Sequence, residues 1–130
     1  MDSNIESVSL DQLLIRADVV SMHVPLNDST LNMLNADKLN LLKPDSILIN
    51  LARGGLIDEN YLKHMLINQK LSAAALDVFH TEPPEDKELL ALPNLLVTPH
   101  IGGGSTEAIL AMGRAAIKGL DENALPNRSY

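Results

Sequence analysis

Leu48-Ile49-Asn50-Leu51-Ala52-Arg53-Gly54-Gly55-Leu56-Ile57-Asp58 is the stretch on which the fold turns. Residues 46–51 make an apolar run with branched members, which suits a strand buried on both faces. The run stops at a short Ala52-Arg53-Gly54-Gly55 turn, and Asp58 opens a segment that reads as a helix. In an open α/β sheet the C-terminal end of a parallel strand is where ligands bind. An arginine there is costly to place unless it meets an anion, so Arg53 is the first candidate functional residue. A solvated surface turn is the other reading of the same residues.

Outward from this stretch the chain alternates. Ser9-Leu10-Asp11-Gln12 fits a capping box, with a short helix behind it that buries Leu10, Leu13, Leu14 and Ala17. Asp18–Met22 reads as a strand, and Pro25 ends it because it has no N–H for a ladder. Leu26–Leu34 is a polar loop. Asn35 caps a helix expected to run to about Leu42, with Leu34 and Leu39 as a hydrophobic staple. The helix from Asp58 to Asn68 places Leu62, Met65, Leu66 and Gln69 at spacings of three and four. Residues 71–79 and 94–98 read as strands, and a short helical turn covers Asp86–Leu90. A final helix is expected over 105–122, with Ala108, Ile109, Met112, Ala115, Ala116 and Leu120 buried. Residues 123–130 read as an unfixed tail.

Four strands alternating with helices predict an α/β fold: a partial Rossmann-like parallel sheet of about four strands with helices on both faces. The 130 residues are enough for one domain and not two. A formal charge of −7 without any basic block argues against a nucleic-acid partner. The absence of cysteine excludes disulfides, thiol catalysis and cysteine-held zinc. No apolar run approaches the ~20 residues of a membrane span, and the N-terminus lacks a signal peptide's features. A cytoplasmic protein with no membrane partner is the expectation.

Every polar residue of interest follows a predicted strand: His23 and Pro25, Arg53, Asp77 and Glu82, then His100 with its glycines. Arginine supplies a planar bidentate cation for a carboxylate. Histidine titrates near neutrality and exchanges a proton with a hydroxyl or carbonyl oxygen. A carboxylate beside it orients the ring and stabilises its charged form. Arg53, His100 and Glu82 are thus the three residue types needed to interconvert a 2-hydroxy and a 2-oxo acid. Taken singly, a loop histidine and a solvated turn glutamate are the plainer readings; their shared position on one sheet edge favours function. Asp77, at the end of a strand of small apolar residues, needs donors from a ligand amide or a backbone turn. Gly102, Gly103 and Gly104 allow close backbone approach ahead of a helix N-terminus. His80 and Glu82 form His-x-Glu, as in zinc deaminases, but the partner cysteines are absent, and no metal site is expected.

Ala17-Asp-Val-Val-Ser-Met-His-Val-Pro25, Lys43-Pro44, Ile49-Asn-Leu-Ala-Arg-Gly-Gly-Leu-Ile-Asp58, Ala75-Leu-Asp-Val-Phe79, Thr81-Glu-Pro83 and Thr98-Pro-His-Ile-Gly-Gly103 together resemble the D-isomer-specific 2-hydroxyacid dehydrogenases. That family includes phosphoglycerate, glyoxylate/hydroxypyruvate and D-lactate dehydrogenases. The resemblance covers roughly residues 9–122. It implies NAD or NADP as cofactor and a small 2-hydroxy or 2-oxo acid as substrate. It implies that Arg53 binds the substrate carboxylate and oxo group, that His100 is the acid/base and that Glu82 is its partner. Asp77 would meet the nicotinamide carboxamide; Leu51, Ala52, Arg53, His100, Ile101, Gly102 and Gly103 would line the cofactor; His23 and Pro25 would lie near its other half.

The family's Gly-x-Gly-x-x-Gly fingerprint is absent from all 130 residues, as are the acidic residue that follows it and the separate substrate domain. The expectation is a single truncated NAD(P)-binding domain over 1–130, from a fragment or a shortened gene product. Alone it would bind NAD weakly and turn over no substrate. Its first strand would leave an open edge, favouring a homo-oligomer through that edge or through swapped helices unless the N-terminal tail folds over it. A non-catalytic NAD-sensing corepressor-like protein and an inert assembly remnant are the alternatives to the enzyme.

Overall fold

The computed structural model describes residues 5–121. The elements are α1 (Leu10–Arg16), β1 (Val19–Met22), α2 (Ala36–Leu39), β2 (Ile47–Asn50), α3 (Glu59–Ile67), β3 (Ala73–Leu76), α4 (Lys87–Leu90), β4 (Leu95–Val97) and α5 (Thr106–Asp121). Residues 1–100 and 101–130 form two compact units. Residues 123–130, read above as a tail, lie outside the described residues, as does Glu122.

In the first unit the four strands pair in the order β1-β2-β3-β4, all parallel. The parallel α/β sheet is as expected. Its crossovers differ in one respect. Each joins neighbouring strands, and right-handed connections in a consecutive order return to the same side of the sheet. Burial alternates to match. Val20, Met22, Leu48, Asn50, Ala74 and Leu76 are buried, whereas Val19, Ile47 and Leu96 in the other rows are 54%, 37% and 65% exposed. Cover on both faces, expected from the unbroken apolar runs, is therefore not supplied by α1–α4. On the other face of β2, Ile47 is exposed and Ile49 half-buried.

The helices start where their caps dictate. Ser9 and Gln12 form the reciprocal capping box of α1. Asn35 Oδ1 accepts from Lys38 N–H, and the staple residues Leu34 and Leu39 are both fully buried. Asp58 caps α3 through Tyr61 N–H and Asp86 caps α4 through Leu89 N–H. Three expectations fail locally. In α1 only Leu14 is fully buried, and Leu13 is exposed. α2 stops at Leu39 instead of Leu42 because Leu41 and Leu42 N–H bond three residues back and tighten the chain before Pro44. Gln69 is not on the face of α3. It takes φ +53°, with Gln69 N–H on Leu66 O and Lys70 N–H on Met65 O, the arrangement that ends helices in a left-handed residue.

The core runs from Leu14 through Leu34, Leu39, Leu48, Leu56, Leu62, Leu66 and Leu71 to Leu76 and Leu89. Each fully buried leucine contributes roughly 1.5–3 kcal/mol by leaving water. In the second unit, Ser105 Oγ accepts from Ala108 N–H at the start of α5. The expected buried stripe is not observed: Ile109, Met112 and Leu120 are 57%, 61% and 80% exposed. Glu107, Arg114 and Lys118 fall on one side of α5, so the helix is amphipathic, and the apolar side that the spacing defines is exposed in this chain. No helix among the described residues is long and apolar enough to cross a membrane.

Candidate active site

The C-terminal ends of β2, β3 and β4 carry the candidate residues in adjacent positions. Arg53 follows β2, Asp77 and Glu82 follow β3, and His100 follows β4. Two strand spacings separate the first from the last, roughly 10 Å across the sheet. The turn from Asp77 to Glu82 fills that gap.

Asn50 shapes the β2 turn from inside. Its side chain is buried; Oδ1 accepts from Ala52 N–H at 3.1 Å and Nδ2 donates to Arg53 O at 2.9 Å. The turn is thereby closed over a side chain that belongs to the strand, and Arg53 is held outward. The guanidinium is exposed and donates through Nη1 to Ala52 O at 2.7 Å. Leu51 is exposed and Ala52 half-buried.

Gly54 is the point where the β2 and β3 turns meet. A Cβ there would lie 1.8 Å from Phe79 O, 2.1 Å from Phe79 C and 2.6 Å from His80 N. Only a glycine lets the two backbones approach this closely. Gly55 follows with φ +80°.

Glu82 joins the β3 and β4 turns. One carboxylate oxygen accepts from Phe79 N–H at 3.0 Å and the other meets His100 Nδ1 at 2.8 Å. The His100 and Phe79 donors hold the Glu82 carboxyl below the usual glutamate value, because each bond stabilises the charged form. With Nδ1–H donating to a carboxylate, the His100 tautomer leaves Nε2 as the atom for proton exchange. His100 also stands in the left-handed region, at φ +53°, with its N–H on Thr98 O. A non-glycine residue in that region is uncommon, and such strain persists where surrounding contacts over-determine it. The Glu82 bond is one such contact.

Asp77 is buried, and Thr98 Oγ1 donates to its Oδ1. Asp77, Glu82, Thr98 and His100 line one cavity of about 590 Å³, whose other walls include Phe79, Leu90 and Val97. Arg53 is not among its lining residues. His23 and Pro25 follow β1 and are absent from it too; His23 Nε2 bonds Ser21 Oγ, and Pro25 O accepts from Thr30 Oγ1. Ile101, Gly102 and Gly103 belong to the second unit. There a Cβ on Gly103 would meet nothing within 4 Å among the described residues.

Sequence reasoning missed three residues. Asn50 sits inside an apolar strand, where a buried amide itself signals a satisfied turn. Thr98 is the side-chain donor that Asp77 needed. Glu59, in the first turn of α3, accepts His80 N–H at 2.6 Å. Burial raises the Glu59 carboxyl above its usual value, partly opposed by that bond.

Residues 1–102 match the family model described as D-isomer specific 2-hydroxyacid dehydrogenase, NAD binding domain. Over 115 residues the chain is 43% identical to hydroxypyruvate reductase of Thermotoga maritima, covering 86% of this chain and 38% of that protein. It is 45% identical over 104 residues to D-3-phosphoglycerate dehydrogenase of Methanocaldococcus jannaschii, covering 80% of this chain and 20% of that one. Among solved structures, a glyoxylate reductase from Paecilomyes thermophila superposes with a TM-score of 0.83 at 35% identity, covering 88% of this chain and 35% of that one. An acyclic imino acid reductase solved with NADPH and D-Arg superposes at 0.87 and 31% identity, over 93% of this chain and 39% of that one. The chain thus spans well under half the length of the relatives it matches. By its sequence match and its fold, this chain belongs to the D-isomer-specific 2-hydroxyacid dehydrogenases, and residues 1–102 are NAD-binding domain.

Proposed function

We propose that this chain contributes the acid–base half of an NAD(P)-dependent dehydrogenase acting on small 2-hydroxy and 2-oxo acids. The observation that carries the reading is the Glu82 bridge, which holds Phe79 N–H with one oxygen and His100 Nδ1 with the other. That bridge fixes the ring and its tautomer, and turns Nε2 into the proton-exchanging atom.

The residues fit one end of a dinucleotide. A cavity with apolar walls and a buried Asp77 bonded to Thr98 suits a flat ring bearing an amide. The bound nicotinamide would supply or accept the hydride. Arg53 offers a planar fork to the substrate carboxylate and so orients the carbonyl. In the reducing direction Nε2 of His100 gives its proton to the carbonyl oxygen as negative charge develops there. In the oxidising direction it takes that proton back from the hydroxyl. Glu82 remains ionised and stabilises the imidazolium in both. Leu51, Ala52, His23, Pro25, Ile101, Gly102 and Gly103 are proposed as further cofactor contacts on the family resemblance.

The glycine fingerprint that cradles a pyrophosphate is not among these 130 residues. As a free polypeptide the chain is therefore expected to bind NADH weakly and to turn over no 2-oxo acid; saturable tight binding by calorimetry would contradict this. The catalytic reading is tested by exchanging the matched segment into the Thermotoga relative and assaying 2-oxo acid reduction with NADH and NADPH. A folded chimera should reduce a 2-oxo acid and lose about 10²-fold or more with His100→Ala. A chimera indifferent to His100→Ala would refute the assignment.

A further inference from the structure

We propose that Glu59 is a positioning residue for the Glu82–His100 pair, acting through the backbone of the 79–82 turn. The proposal rests on the reading of Glu82 and His100 as the acid–base pair.

Phe79 and His80 present consecutive N–H groups, and each meets a carboxylate. Phe79 N–H donates to Glu82 and His80 N–H donates to Glu59 at 2.6 Å. The same Phe79–His80 peptide is pressed from a third direction by Gly54. Packing against Gly54 blocks translation of this peptide. It does not by itself stop rotation about the axis of the chain, whereas a charge-assisted bond to the N–H does. A tilt of the Phe79–His80 peptide displaces the Phe79 Cα, and with it the preceding peptide whose N–H Glu82 holds. Glu82 would then keep only its His100 contact, on a carboxylate no longer anchored at its other oxygen.

A plainer account makes Glu59 an acidic residue in the first helical turn, there for the helix dipole. That role asks only for a carboxylate near the helix end and needs no bond to a distant loop. Glu59 is instead half-buried, against a cavity of about 500 Å³ also lined by Asp58, His80 and Thr81. Its burial raises its pKa, so the carboxylate is held where ionisation is disfavoured. A carboxylate kept in such a place, with an oxygen on a loop N–H twenty-one positions away, is serving that loop.

The test uses the 130-residue polypeptide and needs no cofactor. Amide exchange is read at Phe79 and His80, and the tautomer signature of the His100 ring is read by nitrogen-15 NMR. Glu59→Ala removes the acceptor, Glu59→Asp withdraws it by one methylene, and Glu59→Gln keeps a neutral acceptor at the same reach. With Ala or Asp, exchange at both amides should quicken by about tenfold or more, the scale of losing a charged hydrogen bond. The His100 ring should move toward its signature in Glu82→Ala. Glu59→Gln should restore the parent signature. If exchange quickens only at His80 while the His100 ring keeps its parent signature, Glu59 is a local tether and the proposal fails. That failure leaves the His100→Ala assay in the chimera untouched, so the two readings stand or fall separately.

Discussion

Replacing Gly54 with alanine should force the β2 and β3 turns apart, and its cost follows from three distances. The new Cβ would fall 1.8 Å from Phe79 O, 2.1 Å from Phe79 C and 2.6 Å from His80 N. Real Cβ atoms essentially never come within 3.0 Å of a heavy atom beyond their own residue and its chain neighbours. The obstructing atoms are all backbone, so no side chain can rotate out of the way, and the turns must part by more than an ångström. Phe79 is nearly fully buried, and Glu82 hangs from its N–H. Overpacking costs about 1–3 kcal/mol, and a clash with rigid backbone belongs at the upper end, about 3 kcal/mol. For a domain of this size that corresponds to a fall in melting temperature of about 10–15 °C. Thermal unfolding by circular dichroism reads this directly. Gly103→Ala is the control, since its Cβ would meet nothing within 4 Å; it should stay within about 0.5 kcal/mol of the parent. A Gly54→Ala chain as stable as the control would refute the close contact and, with it, the junction that brings the Arg53 and Glu82 turns together.

Two further predictions concern the groups around that junction. Asn50→Ala deletes the acceptor of Ala52 N–H and the donor to Arg53 O, and should cost about 1–3 kcal/mol in a urea titration at unchanged slope; a midpoint indistinguishable from the parent would show that the turn closes without it. Glu82 has its folded value below the usual 4.5, so its contribution to stability is present above that value and is lost as pH falls through the folded one. Phe79 amide protection should decline on acidification over that window and the decline should vanish in Glu82→Gln; the same decline in both chains would assign it elsewhere. Glu59 works in the opposite sense, because its raised value makes its ionised form a cost to the fold.

Much of the local structure was legible because its causes are local. Ser9, Asn35, Asp58 and Asp86 each bond backbone N–H groups two or three residues on, so a short window suffices to place a helix start. The strand ends were legible from Pro25, which has no N–H for a ladder, and from the Ala52–Gly55 turn. Gln69 and the end of α2 were misread because apolar spacing continues past the residue where the backbone turns.

The sequence by itself determined the parallel α/β class, the family, and the residue types at the sheet edge, since these follow from periodicity, capping and motif. The tertiary structure decided which groups touch. That Glu82 spans Phe79 and His100, that Thr98 satisfies Asp77, that Gly54 seats on Phe79, and that Glu59 reaches His80 are contacts between distant segments. It also decided the sides of the sheet: consecutive strand order and right-handed crossovers gather α2–α4 on one face, which apolar runs that fit burial on either side do not reveal. The physical reason is range. Propensity and capping act over a few residues, whereas packing and hydrogen-bond satisfaction depend on segments that meet only once the chain has folded.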